Sequence, residues 1–311
     1  MANCNQRKKY PTPFRKRFHA ALPPILFLAA ALVMLAVYLF FSPQSPLHAP
    51  ACKFVDPLEV HFIDVGQGDS TLLCIPGDKH VLIDTGPSSA KAALRRYLEN
   101  EKVQTLDLVV FTHPHEDHIG GGLTVLSYFE VKAILMPDTV TTTATFQNLL
   151  TAIEQADCSV RQAIPSDTFD VGDASFSVLG PIDSHASSLN NTSVVLRVSY
   201  GEVSFLFSAD AEVKAETAML QQFSPSVFKS TVLKVGHHGS SSSTSVDYLS
   251  AISPRYAVIS CGSNNDYGHP HAEILQRLQK IGAEVYRTDR DNTIRIETDG
   301  HTLACYTTKS P

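Results

Sequence analysis

The sequence predicts one α/β domain over residues 56–306, and three observations predict it. Apolar runs at strand spacing alternate with runs at helical spacing along that whole stretch. No composition shift, low-complexity tract or repeat divides it. With 311 residues and 43% hydrophobic content, the chain can bury a large core. Strands are predicted at 59–65, 71–75 and 80–83, then a helix at 90–98, where Leu94 and Leu98 stand four apart. An apolar strand at 108–111 follows. Further helices are predicted at 119–129, 145–155, 211–223, 245–252 and 272–281. Further strands are predicted at 175–179, 194–199, 203–207, 232–235, 257–260, 293–297 and 301–306. Gly201-Glu202 between two apolar runs is a hairpin signal.

The first fifty-odd residues are of another kind. Arg7, Lys8, Lys9, Arg15, Lys16 and Arg17 precede an uncharged stretch, 20–41. As a helix those residues extend about 33 Å, enough to cross a bilayer. Pro23 and Pro24 fall at its start, where a helix tolerates them best. Six basic residues before the span and no acid before Asp56 predict a cytoplasmic N-terminus and an external domain. The organisation expected is a basic tail (1–19), a single transmembrane anchor (20–41), a linker (42–55), the domain (56–306) and a short tail (307–311). A buried soluble helix is the plain alternative. A cleaved signal is another, since Ala49-Pro50-Ala51 is an A-x-A pattern. The apolar run, however, exceeds the roughly 7–15 residues such signals use. Cys52 lacks the upstream Leu of a lipoprotein signal.

Charge narrows the partners. The chain has 25 basic and 31 acidic residues; seven of the basic ones lie at or before Lys53, which leaves 18 against 31 beyond it. A nucleic-acid binder normally carries a basic footprint, and the domain as a whole does not. The six cysteines form no C-x-x-C pair, and Cys74, Cys261 and Cys305 sit in apolar runs as small core residues.

The densest chemistry lies where the strand at 108–111 runs into Thr112-His113-Pro114-His115-Glu116-Asp117-His118, followed by Ile119-Gly120-Gly121. Side chains two apart on extended backbone point the same way, so His113, His115 and Asp117 can converge. Imidazoles and a carboxylate suit zinc, and also manganese or iron. Four ligand-type residues within six positions are more than one tetrahedral ion usually takes from one loop, so a pair of ions is expected. The bland alternative is a polar surface turn.

This loop resembles the metal loop of the metallo-β-lactamase superfamily. The stretch from Val60 through Asp64-Val65-Gly66-Gln67-Gly68-Asp69-Ser70 also matches, as do Leu82-Ile83-Asp84-Thr85-Gly86 and Leu233-Lys234-Val235-Gly236-His237-His238-Gly239-Ser240. Together they resemble the extracytoplasmic hydrolase domain of ComEC-type competence (DNA-uptake) proteins. Choline-phosphate esterases of the same superfamily have similar segments. The resemblance covers residues 56–306 and implies a four-layered αββα sandwich.

It also implies a ligand set. Asp210, closing the strand at 203–207, takes the place of the acid that bridges two ions; the alternative role is a helix N-cap. The family usually has Gly before this acid, where Ala209 stands here. His237 takes the place of the last histidine, with His238 close behind. Adjacent strand residues point opposite ways, so one is expected to reach metal and the other to bind substrate or hold the loop. Many members carry a further histidine where this chain has Asn191. Site one would then hold His113, His115 and Asp210, with water, substrate or Asn191 filling the gap; His185 is a possible substitute. Asp117 and His118 belong to site two. Asp84 is expected to hydrogen-bond a ligating histidine, and Asp64 and Asp69 to support the site by shaping the Gly66-Gln67-Gly68 turn. His269, in Asn264-Asn265-Asp266-Tyr267-Gly268-His269-Pro270, is expected to contact a phosphate or assist the leaving group, or else to cap the next helix.

Two cations lower the pKa of a water and clamp the oxygens of the group attacked. Asp117 can orient that water, and no nucleophilic side chain is needed. Zinc is the first expectation, manganese the second, and no organic cofactor is implied. Several superfamily reactions do not fit. Di-iron members have an acid where His115 stands, and lactamases lack a histidine at His118. Only 26 residues separate Asp210 from His237, too few for a nuclease cap, and only 42 follow His269, too few for the helical domain of glyoxalase-type thioesterases. The expected function is a membrane-anchored, extracytoplasmic phosphodiesterase acting on single-stranded DNA. With one span expected, the chain would not itself conduct DNA. The alternatives are a hydrolase of small phosphodiesters or choline-phosphate esters, and a metal-binding module without turnover. Lys234 and Arg197 are the basic candidates for a DNA path.

Overall fold

A computed structural model describes residues 54–308. The expected tail 1–19, the apolar span 20–41, nearly all of the linker and the last three residues lie outside the described residues. Among the described residues no helix is long and apolar enough to cross a membrane.

In chain order the elements are β1 (Leu58–Phe62), β2 (Thr71–Ile75), β3 (Lys79–Ile83), α1 (Lys91–Asn100), β4 (Thr105–Leu106), β5 (Leu108–Val110), α2 (Glu116–Ile119), α3 (Gly122–Tyr128) and β6 (Glu130–Val131). They continue with β7 (Ala133–Met136), α4 (Ala144–Gln155), β8 (Ser159–Gln162), β9 (Thr168–Val171), β10 (Ala174–Gly180), β11 (Val195–Tyr200) and β12 (Val203–Phe207). The last are α5 (Val213–Gln222), β13 (Val232–Lys234), α6 (Val246–Ile252), β14 (Tyr256–Ile259), α7 (Ala272–Lys280), β15 (Glu284–Arg287), α8 (Thr288–Asp291), β16 (Ile294–Thr298) and β17 (Leu303–Thr307).

Two large sheets result. One has the order β17-β16-β1-β2-β3-β5-β7-β8 and the other β15-β14-β13-β12-β11-β10-β9. Alternation along each strand decides what each face meets. Leu58, Val60 and Phe62 of β1 share one buried cluster with Phe176 of β10, Leu196 and Val198 of β11, and Phe205 and Phe207 of β12. This is the seam between the sheets. The other face of the first sheet (Leu72, Leu82, Val109) packs on Leu94 and Leu98 of α1 and on Phe146 and Leu149 of α4. The other face of the second (Leu206, Leu233, Ala257) packs on Tyr248 and Leu249 of α6 and Ile274 and Leu278 of α7. Each such buried side chain contributes roughly 1.5–3 kcal/mol. The layers run αββα, as the resemblance implies.

Differences from the sequence reading have physical reasons. The predicted helix 119–129 breaks into α2 and α3 at Gly120-Gly121, where any Cβ would strike backbone of Ser88 and Thr85. The strands β7, β8, β9 and β15 were not predicted. Three of these form sheet edges, and β8 is exposed at every position, so no burial pattern marks it.

The topology gathers the site. β3 and β5 run parallel, and so do β12, β13 and β14. The loops leaving the carboxyl ends of these strands carry Asp84, His113 to His118, Asp210, His237 to His238 and His269, at the pole where α/β sheets usually bind ligands.

Candidate metal centre

His113 and His115 leave β5 on extended backbone, His115 at φ −73° and ψ 147°. Their rings approach to 3.0 Å, Nε2 of His113 to Nδ1 of His115. Asp117 and His118 already belong to the short helix α2, so the helical turn, not strand spacing, aims them. Gly68 has to be glycine here, because a Cβ would collide with the Asp117 carbonyl oxygen.

Asp210 lies between two groups of imidazoles. Its Oδ2 is 3.7 Å from His113 Nε2 and 3.6 Å from His237 Nε2. Its Oδ1 is 3.3 Å from His118 Nε2 and 3.7 Å from His238 Nε2. Donor atoms of His113, His115 and Asp210 lie within 4.8 Å of one another, and so do those of Asp117, His118, Asp210 and His238. One carboxylate thus belongs to both clusters. The N-cap of α5 is Glu212, so capping does not account for Asp210. His118 Nε2 and Asp210 Oδ1 are buried without a hydrogen-bond partner among the described residues. Orphaned ligand atoms facing a common point are what divalent cations fit.

The surrounding acids orient the imidazoles. Asp84 Oδ2 accepts from His118 Nδ1 at 2.7 Å, and Asp84 is itself held by Thr112 N (2.8 Å) and Thr112 Oγ1 (2.7 Å). This leaves His118 Nε2 free to ligate. Burial alone would lower the His118 pKa, but Asp210, Asp84 and Asp117 carry it well above the ordinary value. Burial opposes ionisation of Asp210, yet His118 and His238 hold its pKa well below the carboxylate range. His238 Nδ1 lies 3.0 Å from the Ser260 carbonyl and 3.2 Å from Asp69 Oδ1, while its Nε2 is 3.1 Å from Asp117 Oδ2. The Ser260 carbonyl therefore orients His238, with the Asp69 carboxylate beside it.

Several expectations are corrected. His237 and His238 do not diverge as strand neighbours would. Both adopt left-handed backbone (φ 49° and 54°) in the turn Gly236–Gly239, and this sends one ring to each oxygen of Asp210. His238, not His237, completes the cluster of Asp117 and His118; His237 lies on the side of His113. Ala209 is also left-handed (φ 44°), as is Asp84 (φ 58°). The family's usual Gly before the bridging acid meets that requirement without strain. Asn191 does not fill the gap in site one. Its Nδ2 donates to Glu212 Oε2 at 2.9 Å and its Oδ1 accepts from the N–H groups of Glu212 and Ala215. His185 is exposed and outside both clusters. Asp64 is exposed, accepts from Gly66 N at 3.0 Å and shapes the turn, but belongs to neither cluster. Lys234 is buried in an ion pair with Asp69 at 2.7 Å, so it offers no DNA contact. Arg197 lines a different cleft.

The ligands open into a cleft of about 310 Å³ lined by Gln67, Glu116, Tyr267 and His269 as well. His269 stands 5.6 Å from the His237 ring and is stacked by Tyr267. Burial, with His238 and His237 beside it, lowers its pKa to about 4. Tyr267 and Gln67 were not singled out in the sequence; their only signal was position inside glycine-flanked loops.

A two-sheet sandwich with paired His/Asp clusters at the carboxyl ends of its strands defines a class. Residues 63–263 match the metallo-beta-lactamase superfamily, and the chain belongs to it. Among curated proteins it is similar to ComE operon protein 3 of Bacillus subtilis (strain 168), with 34% identity over 254 residues, 76% of this chain and 32% of that protein. It is also similar to Recombination protein 2 of Haemophilus influenzae, with 30% identity over 243 residues, 76% of this chain and 28% of that protein. The chain thus spans about a third of these relatives' length. The solved structure of the metallo-beta-lactamase fold protein YhfI from Bacillus subtilis aligns with a TM-score of 0.52 at 17% identity, over 75% of this chain and 96% of that one. That likeness concerns the fold alone.

Proposed function

We propose that the chain is a binuclear metal-dependent phosphodiesterase that cuts single-stranded DNA outside a membrane in which residues 20–41 anchor it. The observation that carries the reading is Asp210, with one oxygen turned to each cluster of imidazoles. His113, His115, Asp210 and His237 would hold one cation and Asp117, His118, Asp210 and His238 the other, zinc first and manganese second. When bound, the cations would lower the pKa of a water between them and neutralise charge on the phosphate. Asp210, belonging to both clusters, would be a ligand to both cations. Asp84 and the Ser260 carbonyl keep Nε2 of His118 and His238 turned into the cleft. Asp117 would orient the attacking water, and His269 would hydrogen-bond a phosphate oxygen. Relatives named for recombination and competence, Recombination protein 2 and Competence protein ComA of Neisseria gonorrhoeae, support a DNA substrate.

A second reading has its own support: no Lys or Arg is among the residues that line the cleft. Small phosphodiesters or choline-phosphate esters need no basic track. Incubating the purified chain with single-stranded DNA and with a generic phosphodiester, in zinc or manganese, separates the two. Metal-dependent DNA cleavage supports the first; turnover of the small ester alone supports the second.

A further inference from the structure

A second cleft, of about 420 Å³, lies at the opposite ends of the strands that carry the metal ligands. It is lined by Arg197, Lys229 and Arg255, by five hydroxyl-bearing residues including Ser204 and Thr231, and by one acid, Glu202. Ser204 is the second residue of β12, Thr231 precedes β13 and Arg255 precedes β14, whereas Asp210, His238 and Ser260 follow those same strands. In a domain with 31 acids against 18 bases beyond Lys53, three cations lining one cleft would be expected to attract carboxylates. Among the described residues, none of the three has an acidic partner within ion-pair distance. The one nearby acid, Glu202, is 79% exposed and turns toward His301 at 3.6 Å. Arg197 is partly buried, and burial lowers its pKa from the ordinary value. Its Nε donates to the Lys229 carbonyl at 3.1 Å and its Nη1 to Ser199 Oγ at 3.2 Å, which fixes the guanidinium. Its other terminal nitrogen has no partner among the described residues. A partly buried cation held in place without an anion favours a ligand that supplies negative charge.

The place of the cleft adds to this. Leu58, where β1 begins, pairs with Thr298, and the loop beyond Thr298 meets the Tyr200–Glu202 hairpin through Glu202 N to Gly300 O at 2.6 Å. The first strand of the domain therefore begins at the pole that holds this cleft.

We propose that the cleft is a second, metal-independent site that binds a phosphate group on Arg197, Lys229 and Arg255. Guanidinium forks match phosphate oxygens, and a fixed fork loses little freedom on binding. The phosphate could come from a lipid headgroup or be free in solution. The full chain is purified in neutral detergent and stripped with EDTA, so that the His/Asp clusters cannot recruit phosphate through a metal. It is then titrated calorimetrically with inorganic phosphate, with glycerophosphoglycerol and with a short oligothymidylate, beside Arg197→Gln/Arg255→Gln. The expected result is saturable binding of a small phosphate, weakened about 10-fold or more in the double variant, whose metal-dependent hydrolysis stays unchanged. Tighter binding of the glycerophosphodiester identifies the headgroup as source, and tighter binding of inorganic phosphate identifies the free anion. Equal binding by native and variant chains overturns the proposal, and so does binding of the oligonucleotide alone. Should the double variant fail to fold, Arg255→Gln, at an exposed side chain, carries the same comparison.

Discussion

At the scale of residues, Asp210 and its neighbours divide into ligands and the groups that aim them. Asp210 serves both clusters, so Asp210→Ala is expected to lose at least one metal ion and essentially all hydrolysis. Glu116→Ala, in the same loop and lining the same cleft, should keep both ions, since Glu116 Oε1 is occupied with Ser88 N at 2.7 Å. Metal analysis decides it: two ions still bound in Asp210→Ala would refute the bridging role. Asp84 touches no expected ion. It acts through His118 Nδ1, and groups that hold a ligating histidine typically contribute about 10–100-fold in metal affinity. Asp84→Asn should therefore bind metal about 10–100-fold more weakly in a chelator competition, with the fold unchanged by circular dichroism; native affinity would show that Thr112 suffices. The histidines and acids of the metal loop were legible in the sequence because chemistry fixes residue type, and Asp210, which the structure brings to both clusters, was singled out only through the family resemblance. Which of His237 and His238 reaches which cluster was not legible, because that depends on left-handed backbone at two non-glycine positions, which no spacing rule announces.

At the scale of elements, the interior strands other than the four-residue β7, and the amphipathic helices, were legible because burial imposes a period on them. β8 was not, since an edge strand exposed at every position carries no such period, and β9 alternates over four residues only, its inner pair no more than half-buried. The links between outer elements were invisible too, because they depend on long-range polar contacts. Glu216 of α5 is fully buried, and it accepts from the N–H groups of Thr244 and Ser245 (the latter at 2.9 Å) at the start of α6. Burial raises its pKa above the ordinary 4.5, against the pull of those N–H groups and of Arg277. The folded chain then holds this proton more tightly than the unfolded one. The stabilisation is full below 4.5 and is lost as pH rises through the raised value. Glu216→Gln has no such component. In denaturant titrations the native chain's advantage over this variant should shrink from pH 4.5 toward neutrality. If it widened instead, the ionised carboxylate would be the better partner of α6.

At the scale of the whole molecule, orientation and charge set what the cleft can meet. The basic residues before 20–41 and the uncharged span itself lead us to expect that protease added to intact cells removes the domain and leaves a membrane-bound stub. A soluble mature protein beginning near Cys52 would replace the anchor by a cleaved signal. The substrate question depends on electrostatics. Each phosphate neutralised by Lys or Arg on a single strand contributes about 0.7 to the slope of log affinity against log salt. The metal cleft is lined by no Lys or Arg, Lys234 is occupied with Asp69, and Arg197 lines the opposite cleft. A strand reaching the metal centre would then be held by the cations, by His269 and by whatever stacks on Tyr267, which is 67% exposed. Cleavage of single-stranded DNA should therefore weaken only modestly with salt, with an affinity slope below about one. A slope of about three or more would reveal a basic track that the described residues do not supply at the cleft. Robust turnover of a small phosphodiester at any salt, with DNA untouched in both zinc and manganese, would assign the site to small esters instead.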